Sequence, residues 1–185
     1  MIRTALPQDI DAIFCLIQEL ASFERAPEQV INTPAQLHID LFQDEICKAL
    51  VAENPSGNVV GFALYYISYS TWKGRCLYLE DFYVQETERK KGYGQALFDE
   101  VVSIAKAMGV KRMDWQVLDW NHTALNFYRR NHATLDPEWI NGRLFFDWTH
   151  HRINIHYNLG NIQRRYQDIH LPRYNQNIPL KLVLK

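Results

Sequence analysis

The fold is decided by a stretch that reads Leu77-Tyr78-Leu79-Glu80-Asp81-Phe82-Tyr83-Val84 and, after four more residues, Arg89-Lys90-Lys91-Gly92-Tyr93-Gly94-Gln95-Ala96. The first part is rich in aromatic and branched apolar residues and predicts a buried strand, in which two carboxylates are costly unless they are paired or functional. Apolar residues then recur at helical spacing up to Met108, and Gly109 stands where a helix would end. The sequence therefore predicts a strand, a glycine-containing turn and a helix whose N-terminus can bind phosphate.

Elements on both sides of this stretch are predicted from hydrophobic spacing and turn-forming residues. Upstream we expect a strand, a helix that ends near Phe23, a helix with Thr33 as N-cap and Gln36 completing a capping box, and a hairpin of two strands. Downstream we expect a strand, a helix capped by Asn121 and a last strand. The predicted strands are Ile2–Leu6, Cys47–Glu53, Val59–Tyr69, Arg112–Leu118 and Arg143–Trp148. This order predicts an α/β (α+β) protein with a mixed central sheet flanked by helices.

Composition indicates one ordinary soluble domain. The 185 residues are 47% hydrophobic and 22% charged, and a net charge of −1 gives no reason to expect nucleic acid or a membrane as partner. The charge is uneven, because residues 154–185 carry five Lys or Arg against the single acid Asp168. We therefore divide the chain into a domain at 1–153 and a basic extension of unknown role at 154–185.

Cysteine and histidine usage argues against disulfides and metals. Cys15, Cys47 and Cys76 are an odd number without metal-ligand spacing, and they read as core thiols in a reducing compartment. The seven histidines are scattered, so no metal site is predicted. The N-terminus lacks the apolar run of a signal peptide, and no segment approaches transmembrane length. We expect a cytoplasmic protein.

The loop Arg89-x-x-Gly92-x-Gly94 allows two interpretations on spacing alone. Its basic side chains, glycines and helix start suit an anion, but a tight strand-to-helix connection with a solvated basic face fits equally well. It is too short for a Walker A loop and lacks the full glycine pattern of a dinucleotide site.

With its neighbours, this loop resembles the GNAT family of N-acetyltransferases, whose pyrophosphate loop reads Arg/Gln-x-x-Gly-x-Gly/Ala. The resemblance extends to the spermidine/spermine (diamine) branch through Tyr78–Val84, Trp120-Asn121 and Asn126-Phe127-Tyr128, and it runs from Ile2 to about Phe146. It implies a GNAT fold with a sheet splayed at the cofactor site, acetyl-CoA as co-substrate, no metal and a homodimer.

The resemblance also implies roles for single residues. Glu80 would accept the proton of the amine through water, and Tyr128 would protonate the departing CoA sulfur. Without the resemblance, Glu80 could instead be a paired buried carboxylate and Tyr128 a core residue. Implied cofactor contacts are Phe82, Tyr83, Val84, Arg89, Lys90, Lys91, Gly92, Tyr93, Gly94, Gln95, Asn121, Ala124 and Tyr128. Implied amine-pocket residues are Phe23, Glu24, Trp72, Glu80, Asp81, Trp120 and Glu138.

The segment Ser70-Thr71-Trp72-Lys73-Gly74-Arg75 bears on the substrate. Polyamine enzymes have Asp-Pro-Trp here, whereas this segment resembles the thialysine N-epsilon-acetyltransferase subgroup, which acts on lysine-like amines. A polyamine acetyltransferase is the alternative, and a CoA-binding module without turnover is the alternative from another class. Two departures from the pattern are His132, where relatives have glycine, and residues 136–142, which align only with a gap.

Overall fold

The computed structural model describes residues 1–146. Two compact units divide the chain, Met1–Leu125 and Asn126–Lys185, and each is described by itself. The strands are β1 (Ile2–Thr4), β2 (Lys48–Glu53), β3 (Val59–Ser70), β4 (Gly74–Val84) and β5 (Met113–Asp114), and the helices are α1 (Ile10–Phe23), α2 (Pro34–Phe42), α3 (Tyr93–Ala107) and α4 (His122–Arg130). Three short 3-10 turns occupy Pro7–Asp9, Pro27–Gln29 and Glu86–Glu88.

The first unit is built on one mixed sheet whose strands lie in chain order, β1-β2-β3-β4-β5. Pairs from β1 to β4 are antiparallel, and those of β2 with β3 and of β3 with β4 are hairpins. Strand β5 is parallel to β4 because α3 carries the chain across between them. The predicted mixed sheet flanked by helices is confirmed.

Helices cover the sheet because the strands alternate their side chains. From β2 and β3, Val51 and Phe62 pack with Ile13 of α1 and Leu37 of α2 in one buried cluster. On β3 the next residue before Phe62 is Gly61, and a Cβ there would approach Leu97 of α3 to 3.4 Å. The core therefore lies on both faces of the long β2–β4 meander.

Two irregularities in β4 shape its C-terminal half. Asp81 pairs with Leu64 whereas Leu79 pairs with Tyr65, so Glu80 is the extra residue of a β-bulge. On the other side, β5 pairs only with Leu77 and Tyr78, although β4 runs on for six residues. The short ladder is consistent with a sheet that opens beyond Tyr78.

Several predicted elements are confirmed. The first strand, α1, the hairpin, β4 and α3 lie where expected, and β4 extends back to Gly74. Gly109 has a φ of +66° just beyond α3. The oxygens of Thr33 and Asn121 accept hydrogen bonds from the N–H groups of Gln36 and Ala124, as N-caps should.

Three expectations were wrong. The strand predicted at Arg112–Leu118 covers only Met113–Asp114, the two residues that pair with β4. Residues 143–146 form no strand, and their apolar side chains are exposed rather than packed on the sheet; residues 147 and 148 lie outside the described part. The capping box is half formed, since the Gln36 amide donates to Asp40 instead of reaching back to Thr33.

The expected boundary at 153/154 and the basic extension lie outside the described residues. Within residues 1–146, no helix is both long and apolar enough to cross a membrane.

Candidate active site

The turn between β4 and α3 carries an unusual concentration of free backbone donors. Gly92 is the N-cap of α3 with a φ of +92°, and Lys90 also has a positive φ of +65°. Among the described residues, no backbone acceptor is found for the N–H groups of Lys90 to Gly94; the first helical bond runs from Ala96 to Gly92. Successive N–H groups at a helix start form a concave anion site, and the adjacent basic side chains add positive charge.

The basic side chains of this turn point in different directions. Lys91 forms an ion pair of 2.9 Å with Glu88. Arg89 turns toward the sheet, where its Nε donates to the Val84 carbonyl at 3.1 Å and its guanidinium lies 5.1 Å from the Phe23 ring centroid and 5.4 Å from that of Tyr83. In this conformation, the donors that the turn offers to an anion are therefore its backbone N–H groups rather than the Arg89 side chain.

The start of α3 packs closely on the end of β4. A Cβ on Gly94 would lie 3.7 Å from the Phe82 ring, and the Phe82 and Phe98 rings are 6.2 Å apart. A Cβ at Gly94 would make only an ordinary van der Waals contact, so α3 packs on the strand residues expected to touch cofactor without requiring glycine there. Gln95, also expected there, directs its side-chain amide to Asp99 at 2.8 Å.

A cleft of about 610 Å³ opens beside Arg89, between the C-terminal half of α1 and the end of β4. It contains three of the predicted site residues, Phe23, Tyr83 and Arg89. Its full lining is Cys15, Gln18, Glu19, Ser22, Phe23, Tyr83, Glu86 and Arg89.

Glu19 was not among the predicted site residues, although it lines this cleft and joins α1 to the end of β4 through hydrogen bonds. Its carboxylate accepts from the Gln85 amide at 2.9 Å and from the Tyr83 hydroxyl at 3.3 Å. Burial, followed by the Glu19 charge, raises the pKa of Tyr83. Glu19 lies four residues before Phe23 on α1, and this spacing is the sequence signal that places both on one helix face.

Beside the cleft, α1 ends against an aromatic side chain from the segment before α4. The Phe23 and Trp120 rings are 5.8 Å apart, and the Arg25 guanidinium lies 5.0 Å from the Trp120 centroid. The structure thus brings together two predicted amine-pocket residues, and it adds Arg25, which the sequence did not single out.

The carboxylates of Glu24 and Glu80 both act electrostatically on Asp81, and none of the three has a basic partner among residues 1–146. Half-buried Asp81 has its pKa raised to about 6, first by burial, then by the charges of Glu80 and Glu24. Glu24 itself keeps much of its surface exposed, yet partial loss of water raises its pKa. No ion pair within 4 Å links these three to a described Lys or Arg. A cation is the ligand that such a cluster attracts.

Within residues 1–146, no group of three or more His, Cys, Asp or Glu side chains is arranged to hold a metal ion.

Other predicted site residues are not brought together by the first unit. Trp72 is 82% exposed at the tip of the β3–β4 hairpin. Glu80 lies six residues beyond Gly74 along β4, a separation of roughly 20 Å at strand rise. The indole therefore lies far from the carboxylates of its own chain.

The second unit, by itself, holds Tyr128 and Glu138. Tyr128 is 5% exposed and its ring lies edge-on to Phe127 at 5.5 Å. Glu138 is exposed in an irregular segment, with its N–H bonded to Asp136. His132 has a φ of +60°, the conformation that glycine favours at a helix end.

Comparisons with known proteins are consistent with these features. The model of the acetyltransferase (GNAT) family matches residues 13–133. The thialysine N-epsilon-acetyltransferase of Bos taurus is 41% identical over 137 residues, covering 70% of this chain and 81% of that protein. The spermidine/spermine N(1)-acetyltransferase-like protein 1 of Homo sapiens is 37% identical over 134 residues, covering 69% of this chain but 19% of that protein.

A solved structure shows the same fold. The crystal structure of an aminoglycoside acetyltransferase from an uncultured soil metagenomic sample superposes with a TM-score of 0.66 and 18% identity, covering 80% of this chain and 96% of that one. At that identity the likeness speaks for the fold alone, whereas the family match and the 41% identical relative speak for the chemistry. The chain belongs to the GNAT family of acetyltransferases and is an acetyl-CoA-dependent N-acetyltransferase.

Proposed function

We propose that this enzyme moves the acetyl group of acetyl-CoA directly to the terminal amine of a small lysine-like or diamine substrate of the thialysine type. The observation that carries the proposal is the unpaired carboxylate cluster of Glu24, Glu80 and Asp81 beside the aromatic pair of Phe23 and Trp120. A cationic amine with an apolar chain matches both parts of this surface, because carboxylates attract the ammonium group and indole faces pack the methylenes.

The turn after β4 would hold the cofactor through its pyrophosphate. The N–H groups of Lys90 to Gly94, which have no backbone acceptor among residues 1–146, and the start of α3 suit two phosphates. Phe82, Tyr83 and Val84 would meet the pantetheine arm where the β4–β5 ladder has ended. The remaining expected contacts are Arg89, Tyr93, Gln95, Asn121, Ala124 and Tyr128.

Acyl transfer needs a neutral amine and a proton for the leaving thiolate. We assign Glu80, exposed on the β4 bulge, to take the amine proton through water. Asp81 beside it holds the ammonium group during binding. Tyr128 donates the proton to the CoA sulfur. Support comes from the bulge, the raised pKa of Asp81 and the resemblance of Tyr128 to the tyrosine of the family pattern.

We also propose a cytoplasmic homodimer. Large apolar side chains are exposed, among them Ile31, Tyr69 and Trp72. Their burial between two copies would explain their exposure in one chain, and Trp72 would then contribute to the amine pocket of the partner subunit. Glu138 is proposed as a further residue of the amine pocket on the basis of the family resemblance.

The decisive experiment is an acetyl-CoA-dependent screen of primary amines with detection of free thiol. We expect thialysine and lysine to give the highest kcat/KM. A clear preference for spermidine would replace the proposal with the polyamine alternative, which the 37% identical human relative favours. Acetyl-CoA binding without thiol release from any amine would favour a binding module.

The role of Tyr128 is tested by Tyr128→Phe, which keeps the ring and removes the hydroxyl. We expect kcat to fall roughly 100-fold, the lower end for general acid catalysis, with acetyl-CoA affinity kept. An unchanged kcat would remove Tyr128 from the proton-donor role. Phe127→Leu, one residue away, is a control for disturbance of α4.

A further inference from the structure

Arg25 occupies a backbone position that an arginine rarely takes. Its φ is +63°, in the left-handed region, directly after α1. Its N–H donates to the Ser22 carbonyl at 3.1 Å, and the next N–H, from Ala26, donates to the Ala21 carbonyl at 2.9 Å. These two bonds form a Schellman motif, in which glycine is strongly preferred at the position of Arg25. The arginine therefore costs stability that glycine would not, which makes its side chain the feature to explain.

The Arg25 side chain is fixed at one face and open at its edge. Its guanidinium carbon lies 5.0 Å from the Trp120 ring centroid, a cation–π distance, and Trp120 in turn packs on Phe23. Among residues 1–146, no carboxylate lies within ion-pair distance of Arg25. Stacking uses the face of a guanidinium and leaves its fork of N–H donors for a planar anion.

Charge is arranged in two opposite signs along this short surface. Arg25 follows Glu24 in the chain, and Glu24 acts electrostatically on Asp81. This surface is thus cationic at Arg25 and anionic at Glu24, Glu80 and Asp81. A substrate with an ammonium at one end and a carboxylate at the other complements this arrangement, whereas a polyamine brings a second positive charge toward Arg25.

We propose that Arg25 is a specificity residue that binds the α-carboxylate of an α-amino acid substrate while the side-chain amine of that substrate lies at Glu80 and Asp81. This inference rests on the proposed function and narrows its substrate class to amino acids that carry a terminal side-chain amine. Arg25 forms a bidentate, charge-assisted contact to the carboxylate, with Trp120 behind the guanidinium.

The test compares Arg25→Gln, Arg25→Gly and Arg25→Lys with wild type on two matched amines, thialysine and its decarboxylated diamine. We expect the Gln and Gly variants to raise KM for thialysine roughly 10- to 100-fold with kcat kept, because a charge-assisted contact is lost. The diamine should be acetylated as well as before or better. Arg25→Lys should show a smaller rise in KM for thialysine, because lysine keeps the positive charge but lacks the planar set of N–H donors of the guanidinium.

Controls separate this proposal from its alternatives. Lys106→Gln removes a surface charge from the last turn of α3 and should change neither KM nor kcat for either amine. Arg25→Gly also relieves the left-handed backbone, so a higher Tm than that of Arg25→Gln together with the same KM would assign the kinetic effect to the side chain. Equal losses on both amines, or no loss on either, would overturn the carboxylate role while leaving the acetyltransferase activity in place. Failure of the proposed function is a different result, namely no thiol release by the wild type.

Discussion

Asp9, which lies beside β1, and Asp81, which lies on β4, show how neighbouring groups change the pKa of a carboxylate. Asp9, beside β1, is 5% exposed and is bonded to Arg3 at 2.6 and 3.0 Å and to the Leu6 N–H at 2.7 Å. These bonds, those of Arg3 first, hold the pKa of Asp9 below its usual range. Asp81, on β4, has no such partner within residues 1–146, and burial with two acidic neighbours raises its pKa to about 6.

The difference separates a structural carboxylate from one available to a ligand. The Arg3–Asp9 pair is complete within the fold and joins β1 to the turn before α1. Asp81 has no Lys or Arg partner among the described residues, and under the proposed function the bound amine would supply one. A strongly shifted pKa without an internal partner is therefore the feature that marks the candidate site.

Breaking the completed pair should give the largest effect. Asp9→Asn leaves the Arg3 guanidinium without its main partner, and we expect a loss of about 3 kcal/mol in the free energy of unfolding at pH 7. Urea denaturation of this variant and of Asp44→Asn, an exposed control, measures the difference. A loss no larger than that of the control would show that the pair contributes little.

The same pair fixes the sign of a pH dependence. Because the folded pKa of Asp9 is lowered, its stabilisation is fully present above the unfolded pKa of roughly 4 and is lost as the pH falls through the folded pKa. Stability measured below pH 4 should therefore differ less between wild type and Asp9→Asn than at pH 7. A constant difference across this range would contradict the assignment.

Asp81→Asn should act on activity and stability in opposite directions. We expect kcat/KM for the amine to fall about 100-fold, since the ammonium group loses a charged partner. Folding stability at pH 7 should rise by about 1 kcal/mol after allowance for the partial exposure of Asp81, because the ionised form is disfavoured in the folded state above pH 6. Steady-state kinetics and urea denaturation test the two halves, with Asp44→Asn again as the control.

A smaller effect is expected in the pH profile of kcat/KM. Protonation of Asp81 removes the charge that binds the amine, so kcat/KM should decline as the pH falls through about 6. Glu24→Gln removes one of the charges that raise this pKa and should move the acidic limb to lower pH. A limb that stays in place in this variant would separate Glu24 from Asp81.

The smallest effect should come from the outer member of the Arg3 network. Glu53 accepts from Arg3 Nε at 2.9 Å, but both side chains are 23% exposed. Glu53→Gln should therefore cost no more than about 1 kcal/mol in the free energy of unfolding. A loss equal to that of Asp9→Asn would mean that Arg3 depends on both acids alike.

Much of the fold could be predicted because local patterns determine it. The hairpin turn, the N-caps Thr33 and Asn121, and the end of α3 depend on neighbouring residues, and all are confirmed. The length of β5 could not be predicted, because a strand pattern does not say how far a distant partner runs alongside. The same limit made residues 143–146 look like a strand.

For the candidate site, the sequence indicated residue types but not their neighbours. In a regular strand Glu80 and Asp81 would face opposite sides, whereas the bulge at Glu80 breaks that alternation. Glu19 shares a helix face with Phe23, but its hydrogen bond to Gln85 and the contact of Arg25 with the Trp120 ring are tertiary contacts. Residue spacing carries no information on such contacts, which join residues 66 or more positions apart.

The chain-order arrangement of the sheet has a consequence for how the protein folds. Strands β1 and β2 are separated by two helices, but β2, β3 and β4 are joined by tight turns, so their pairing requires little loop closure and should form early. The β4–β5 ladder forms across α3 and has only two residue pairs. The edge of the sheet at β5, beside the turn between β4 and α3, should therefore be the last part of the sheet to form. It should also be the first part to exchange its amide hydrogens, and bound cofactor should slow the exchange there more than elsewhere in the sheet.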